Sequence, residues 1–284
     1  MMARALTVVD AGPLTTVQDA GRPGLAHLGV PRSGFLDDHA ARLANRLVGN
    51  EPGAALLETT LGGVTLRTGE AVTVAVTGAV ADVLVDGRGA PWSEPLSVPA
   101  GAVLAVGPAR SGVRTYVAVA GGIEVDPVLG SRSTDTLSGL GPPVVADGDV
   151  LPVGAGRRPR PADVPRLPAV DGPLRVTPGP RESWVEGGVR RLAEAGWTVA
   201  ADSNRVALRL HGEPLQRAVE GELPSEGLVL GAVQVPPDGQ PLVFLADHPT
   251  TGGYPVVGVL HPDDLWRCAQ LRPGEPVSLR QVAG

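Results

Sequence analysis

No lysine occurs among the 284 residues; all 24 basic side chains are arginine. A Schiff-base lysine, a Walker lysine and a biotinylated lysine are therefore excluded on this chain. Any phosphate or carboxylate must be held by arginine forks or backbone amides. Cysteine is represented by Cys268 alone, which excludes an intrachain disulfide and a cysteine-rich zinc site and fits a reducing compartment. His27, His39, His211, His248 and His261 are scattered singly, so only long-range assembly could build a metal site, and none is expected. No apolar run is long enough to span a membrane. The N-terminal residues lack the apolar segment of a signal peptide, so the expectation is a cytoplasmic protein with no membrane contact. A net charge of −6 argues against a nucleic-acid partner, whose phosphates call for a basic surface. Also missing are the Gly-x-Ser-x-Gly elbow, the His-Glu-x-x-His metal pair and the P-loop.

Aromatic residues make up 3% of the chain while hydrophobic residues as a whole make up 43%, so Val, Leu and Ala must fill the core. Abundant β-branched valine fits pleated sheet better than helix. The 39 glycines and 29 prolines are spread along the chain, as many short strands joined by many turns require. Ala71 to Thr77 alternates with period two, Val80 to Val85 leads into an Asp86-Gly87 turn, and Tyr116 to Ala120 and Leu242 to Ala246 are short apolar runs; all read as strands. Three helices are predicted: Asp37 to Leu47, capped by Asp37, striped by Ala40, Leu43, Ala44 and Leu47 and closed by Gly49; Trp184 to Ala195; and Pro262 to Ala269. The proline- and arginine-rich stretch 156–171 reads as a linker between halves 1–155 and 172–284. The fold class is mainly β, two β-barrel-like units in tandem with a few short helices.

Polar residues gather in four glycine-bounded segments. The first runs from Thr15 through Gln18, Asp19, Arg22 and Ser33 to Asp37, where Gln18 and Ser33 offer hydrogen bonds to an amide and Arg22 or Arg32 a fork for a carboxylate. The alternative is a structured loop in which Asp19 pairs with Arg22. The second, Gly130 to Thr136 with Arg132, Ser133 and Thr134, reads equally as an anion-binding nest or as a Ser/Thr-rich turn. The third, Asp247 to Pro255, carries His248, Thr250, Thr251 and Tyr254 at the end of an apolar strand; His248 is either an acid–base group or a solvated turn residue. The fourth comprises Ser203, Asn204 and Arg205, with Glu226 and Gln234 following, and Glu226 is a base or an arginine partner. No residue stands out as catalytic.

The same segments resemble the allophanate hydrolase subunit 2 (KipA-like) family. The resemblance is carried by TTVQDAGRPGLAHLGVPRSGFLDDHAARLANRLVGN at 15–50, ALLETTLGG at 55–63 and YVAVAGGIEVDPVLGSRSTDT at 116–136. It continues through SEGLVLGAVQVPPDGQPLVFLADHPTTGGYP at 225–255 and DLWRCAQLRPGEPV at 264–277. Such a resemblance implies cyclophilin-like barrels and the role of the C subunit in an ATP-dependent 5-oxoprolinase, a hydrolase that turns 5-oxo-L-proline into L-glutamate. It implies a heteromer with a KipI-like B subunit and a LamB/YcsF-like A subunit, with ATP and magnesium in the assembled complex and no biotin covalently attached here. On that model the lactam phosphorylated on its oxygen is opened at an electrophilic ring carbon. The positions that match the signature, as candidates for a substrate-facing cleft, are Gln18, Asp19, Arg22, Ser33, Asp37, Arg132, Ser133, Thr134, Ser203, Arg205, Glu226, Gln234, Asp247, Thr250, Thr251 and Tyr254.

The chain departs from the family pattern at Asn204 (usually Asp), at Ala207 (often Gly), at His248-Pro249 and in the Gly139–Pro143 run, which lacks an arginine often found there. These departures bear on which amide or lactam is preferred. Two further roles fit the resemblance: a non-catalytic antagonist of a kinase inhibitor, and a carboxyltransferase-like module of the biotin-dependent urea carboxylase and allophanate hydrolase type.

Overall fold

The computed structural model describes residues 4–156 and 172–283. The expected linker at 156–171 lies, apart from Gly156, outside the described residues. The chain is mainly β, about 11% helical, and divides into two compact units. One holds residues 4–22 and 33–156; the other holds 172–283 together with Pro23–Arg32, a segment that sequence alone assigns to the first half. One sheet of nine strands and one of eight carry the two units, and a two-stranded ribbon joins Glu226–Gly227 to Thr251–Gly252. The large sheets curl, one to a half-barrel and the other to a nearly closed barrel.

In the first unit the strand Val72–Val85 runs antiparallel to Val103–Val119. Alternation puts Val72, Val74 and Val76 into the core, as period two requires. Sequence reads two strands here, at 71–77 and 80–85, whereas the structure has one strand bent in its middle. The bend is at Gly78, whose φ of +86° suits glycine, and where an added Cβ would lie 2.4 Å from the Arg114 carbonyl oxygen. The ladder shifts register between Gly78 and Val80, a β-bulge that re-aims the strand.

Helix α1 spans Asp38–Leu47, and the Asp37 carboxylate accepts a hydrogen bond from the Ala40 amide at 2.9 Å. The stripe Ala40, Leu43, Ala44 and Leu47 is buried against Leu56, Ala75, Tyr116 and Ala118; each leucine so covered contributes about 2 kcal/mol. Gly49 follows in the left-handed conformation that ends the helix.

The second predicted helix is shorter than expected. Glu182–Trp184 is a 3₁₀ turn, Val185 is extended, and α2 begins only at Gly188 and ends at Glu194. Gly187 and Gly188 both take positive φ, which breaks the run that the apolar spacing of Val185, Val189 and Leu192 suggested. The third begins as a 3₁₀ turn over Pro262–Asp264 and becomes α3 at Leu265–Cys268. In the barrel of this unit Leu242–Phe244 is fully buried, and the Trp197 indole donates to the Leu192 carbonyl oxygen at 2.8 Å.

Candidate functional site

Apart from Asp37, the signature positions of the first unit belong to one stretch of contacts that residues 16–22 and Ser33 make with 128–138. Val128 and Ser131 exchange backbone hydrogen bonds around a two-residue turn, with Leu129 at φ +51° and Gly130 at +81°. That turn delivers Ser131, Arg132 and Ser133 to the Asp19 carboxylate. Asp19 Oδ1 accepts from Ser131 Oγ at 2.6 Å, Ser133 Oγ at 2.7 Å and the Gly21 amide at 2.8 Å, and Oδ2 accepts from the Arg132 amide at 2.6 Å. The 130–136 segment thus offers one amide and two hydroxyls to an anion, and that anion is the protein's own carboxylate.

Asp19 does not pair with Arg22, the arrangement expected for a purely local loop. Arg22 is buried and turns to Ser33 Oγ at 3.1 Å and to the Ser133 carbonyl oxygen at 2.6 Å. Ser33 in turn donates to Asp135, and Arg132 sends its Nε to the Val125 carbonyl oxygen. Gln18 Nε2 donates to Thr16 Oγ1 and to the Thr134 carbonyl oxygen, while Gln18 Oε1 and Thr134 Oγ1 are buried without a hydrogen-bond partner.

Beside this network stands a group that sequence reasoning missed. Glu58 and Arg114 form a buried ion pair at 3.5 Å, and Glu58 also accepts from the Leu36 amide. The Tyr116 hydroxyl accepts from the Asp37 amide at 2.7 Å. Burial, reinforced by the Glu58 and Asp37 carboxylates, pushes the Tyr116 phenol well above its ordinary value. These residues fix the entrance of α1, and Asp37 is occupied as its cap.

In the second unit Arg205 and Asp247 make a two-pronged ion pair at 2.9 and 3.0 Å with 1% and 0% of their side chains exposed. His248, next in the chain, is buried and not a solvated turn residue, with Nδ1 2.7 Å from the Pro249 carbonyl oxygen. Ser203 sits apart, bonded to the backbone of Arg209. The remaining signature residues converge on the short ribbon. Glu226 faces Gly252 and Gly227 faces Thr251, and the Leu228 amide donates to the Thr250 carbonyl oxygen. Strand alternation places Thr250 on the Glu226 face and Thr251 on the opposite one. Gly252 has no side chain for a reason: a Cβ there would lie 2.8 Å from Gln234 Nε2, which donates to the Tyr254 carbonyl oxygen.

Glu226 is held by Arg181, a second residue that sequence reasoning missed. Arg181 Nε lies 3.1 and 3.2 Å from the two carboxylate oxygens and Nη2 also bonds Oε1. The guanidinium holds the Glu226 carboxyl below the usual carboxylate range. The pair is consequently intact above the ordinary glutamate range and is lost only as pH falls through that lowered value. The two are separated by 45 residues with no motif between them, so the only sequence signal was a carboxylate in want of a countercharge.

The two units differ in what they leave available. Asp19, Arg22, Ser33 and Ser133 are buried and hydrogen-bonded to one another or to backbone. The hydroxyls of Thr250, Thr251 and Tyr254, the Nη1 group of Arg181 and Oε1 of the buried Gln234 make no hydrogen bond among the described residues, and Tyr254 is 45% exposed. Two concavities lie elsewhere: a groove of about 710 Å³ along Asp86, Arg88, Gly89 and Ala90, and a pocket of about 180 Å³ between Asp202, Arg209, His211 and Asp238. Neither contains a signature residue, and the Arg209–Asp202 ion pair lines the smaller; the unpaired groups of the ribbon face make it the candidate for binding.

Nucleophilic cysteine chemistry is not available. Cys268 is buried, and burial pushes its thiol up to about 12, leaving almost no thiolate near neutrality. At about pH 8, close to the free-thiol pKa, an aromatic disulfide reagent is expected to leave the folded protein untouched and to label Cys268 only in denaturant. Rapid labelling of native protein would contradict this placement.

A family model described as carboxyltransferase domain, subdomain A and B, matches residues 28–281. The protein of Escherichia coli K12 that serves as the 5-oxoprolinase C subunit is 38% identical over 98% of this chain and 91% of its own length. Among solved structures, that of TTHA0988 matches with a TM-score of 0.88 at 40% identity, over 99% of this chain and 56% of that one. The urea amidolyase of K. lactis matches with a TM-score of 0.91 at 30% identity, over 99% of this chain and 19% of that one. The match therefore takes in nearly the whole of the bacterial relative, about half of the first solved chain and about a fifth of the second.

Proposed function

Because this chain belongs to the carboxyltransferase domain family of subdomains A and B, we propose that it is the C subunit of an ATP-dependent 5-oxoprolinase. The complex hydrolyses 5-oxo-L-proline to L-glutamate together with a KipI-like B subunit and a LamB/YcsF-like A subunit. The observation that carries this reading is the 38% identity to the E. coli protein, sustained over 91% of that protein's length.

On this reading the chain binds and orients the lactam at the ribbon face, with the Thr250 and Tyr254 hydroxyls and Gln234 as hydrogen-bonding groups for the ring amide. ATP and magnesium belong to the assembled complex. This chain's donor set does not fit a nucleotide–metal site of the P-loop kind: it has no lysine, and no group of three or more His, Cys, Asp or Glu able to hold a metal occurs among the described residues. That chemistry favours a nucleotide site on the partner proteins.

Glutamate release from 5-oxoproline and ATP is expected when this chain is mixed with its KipI-like and LamB/YcsF-like partners, and is expected to vanish when any one of the three is omitted. An assembled, folded complex without turnover would sink the assignment. A second reading is favoured by the TM-score of 0.91 to the K. lactis urea amidolyase: a module that accepts a carboxyl group from carboxybiotin. Carboxyl transfer from carboxylated biotin to urea in the presence of this chain, without glutamate release, would select it.

A further inference from the structure

Arg181 is launched from a fixed backbone. Its amide donates to the Val256 carbonyl oxygen at 3.0 Å and its own carbonyl oxygen accepts from the Trp184 amide at 3.0 Å. The side chain reaches over to Glu226, yet both ends of the pair stay accessible, with 38% and 31% of their side chains exposed. Nη1 has no hydrogen-bond partner among the described residues, so the fork is only partly used. The carboxylate it holds stands on a strand of two residues, Glu226–Gly227, whose ladder partner is the equally short Thr251–Gly252. The pair is not sealed off, so water can solvate each partner once they separate. On and next to the same ribbon, the Thr250 and Tyr254 hydroxyls and Gln234 Oε1 make no hydrogen bond among the described residues.

A guanidinium fork matches the two oxygens of a carboxylate and gives orientation as well as attraction. Glu226 presents both of its carboxylate oxygens to this fork. We propose that Arg181 is the carboxylate-recognition residue of this face, and that Glu226 is an internal stand-in displaced when a small carboxylic acid binds. The inference rests on the functional reading above for the identity of that acid, since 5-oxo-L-proline is a five-membered lactam bearing one carboxylate. The ring amide then falls among the hydroxyls and Gln234, and the acid on Arg181.

The roles have opposite signs, which separates recognition from a merely structural ion pair. In the assembled complex, Arg181→Ala is expected to raise KM for 5-oxoproline about ten-fold, with Arg181→Lys in between. Glu226→Gln removes the competitor and is expected to lower KM several-fold. Calorimetry on the full chain is the companion measurement, with 5-oxoproline, L-glutamate and the neutral 5-oxoprolinamide as probes. Both carboxylates are expected to lose affinity in Arg181→Ala and gain it in Glu226→Gln, while the neutral amide changes with neither. Thermal melting of each variant establishes that it is folded.

Affinities and KM that stay within about two-fold of wild type in both variants overturn the proposal. So does an equal change for the neutral amide, or a loss in both variants alike. Should the wild-type complex not turn over 5-oxoproline, the functional reading falls. Carboxylate binding that follows Arg181 and Glu226 in opposite directions would still uphold recognition, and failure of the wild-type chain to bind either carboxylate would end it.

Discussion

Asp19→Ala is expected to destabilise the N-terminal unit by about 3–5 kcal/mol. The carboxylate is buried and takes four hydrogen bonds, from Ser131 Oγ, Ser133 Oγ and the amides of Gly21 and Arg132. Removing it orphans two buried hydroxyls and two amides that were oriented for a negative charge, and the turn at Leu129-Gly130 loses the group that anchors it. A domain's whole stability is about 5–15 kcal/mol, so the unit would be left marginal. Urea unfolding monitored by hydrogen exchange in residues 15–22 and 128–138 measures the effect unit by unit. Asp19→Asn keeps the shape but turns an NH₂ group toward donors, so it should fall between the alanine variant and wild type. Activity of the complex should track the folded fraction, because Asp19 acts through structure. A variant that stays folded to within about 0.5 kcal/mol of wild type, yet loses activity, would show instead that Asp19 meets the substrate.

That expectation turns on a distinction invisible in the sequence. Asp19, Arg22, Ser133 and Glu226 look alike as polar signature positions beside glycines. What separates them is whether their hydrogen-bonding capacity is spent inside the protein. For the first two this is decided far along the chain: Ser133 serves Asp19, and Ser133 again serves Arg22. Local chemistry left 130–136 open between an anion-binding nest and a Ser/Thr-rich turn. It did not reveal that two hydroxyls and an amide of the segment bind Asp19. The cap at Asp37 and the stripe of α1 were legible because both are properties of a single helix, with 3.6-residue spacing and a capping oxygen. The Glu58–Arg114–Tyr116 group beneath that helix was not, because its members come from two strands brought together by the sheet.

Where local signals misled, glycine was the reason. Apolar spacing over 184–195 fits a helix, but Gly187 and Gly188 at positive φ start α2 four residues late. The valines on either side of Gly78 read as two strands because a glycine and a break in alternation usually mark a turn. In the structure they mark a bulge within one strand, and the close approach of the Arg114 carbonyl oxygen explains why glycine stands there. Mainly β architecture itself was legible from composition and local pattern together: valine for pleated faces, period-two alternation, short apolar runs, and turns supplied by glycine and proline throughout.

Arg205→Ala is expected to cost the C-terminal unit about 3–5 kcal/mol, for a reason unlike that at Asp19. Asp247 is fully buried and Arg205 is 1% exposed, so deleting the guanidinium strands a carboxylate where water cannot reach it. Much of the loss is therefore the penalty on the remaining charge and not the worth of the pair, and a double variant tests this. Arg205→Met with Asp247→Leu removes both charges at similar volume and is expected to recover most of the stability, with a coupling of several kcal/mol in the thermodynamic cycle. The pair also has a positional effect. The Asp247 amide donates to the Arg205 carbonyl oxygen at 3.1 Å, so charge and backbone together tie down the chain as it leaves the strand Leu242–Phe244. Thr250, Thr251 and Tyr254 follow within seven residues of Asp247. The double variant, folded but lacking the fork, should therefore bind 5-oxoproline more weakly while Arg181 and Glu226 remain in place. If it binds as tightly as wild type, the ribbon face is held by its own two-residue ladder, and the buried pair serves stability alone.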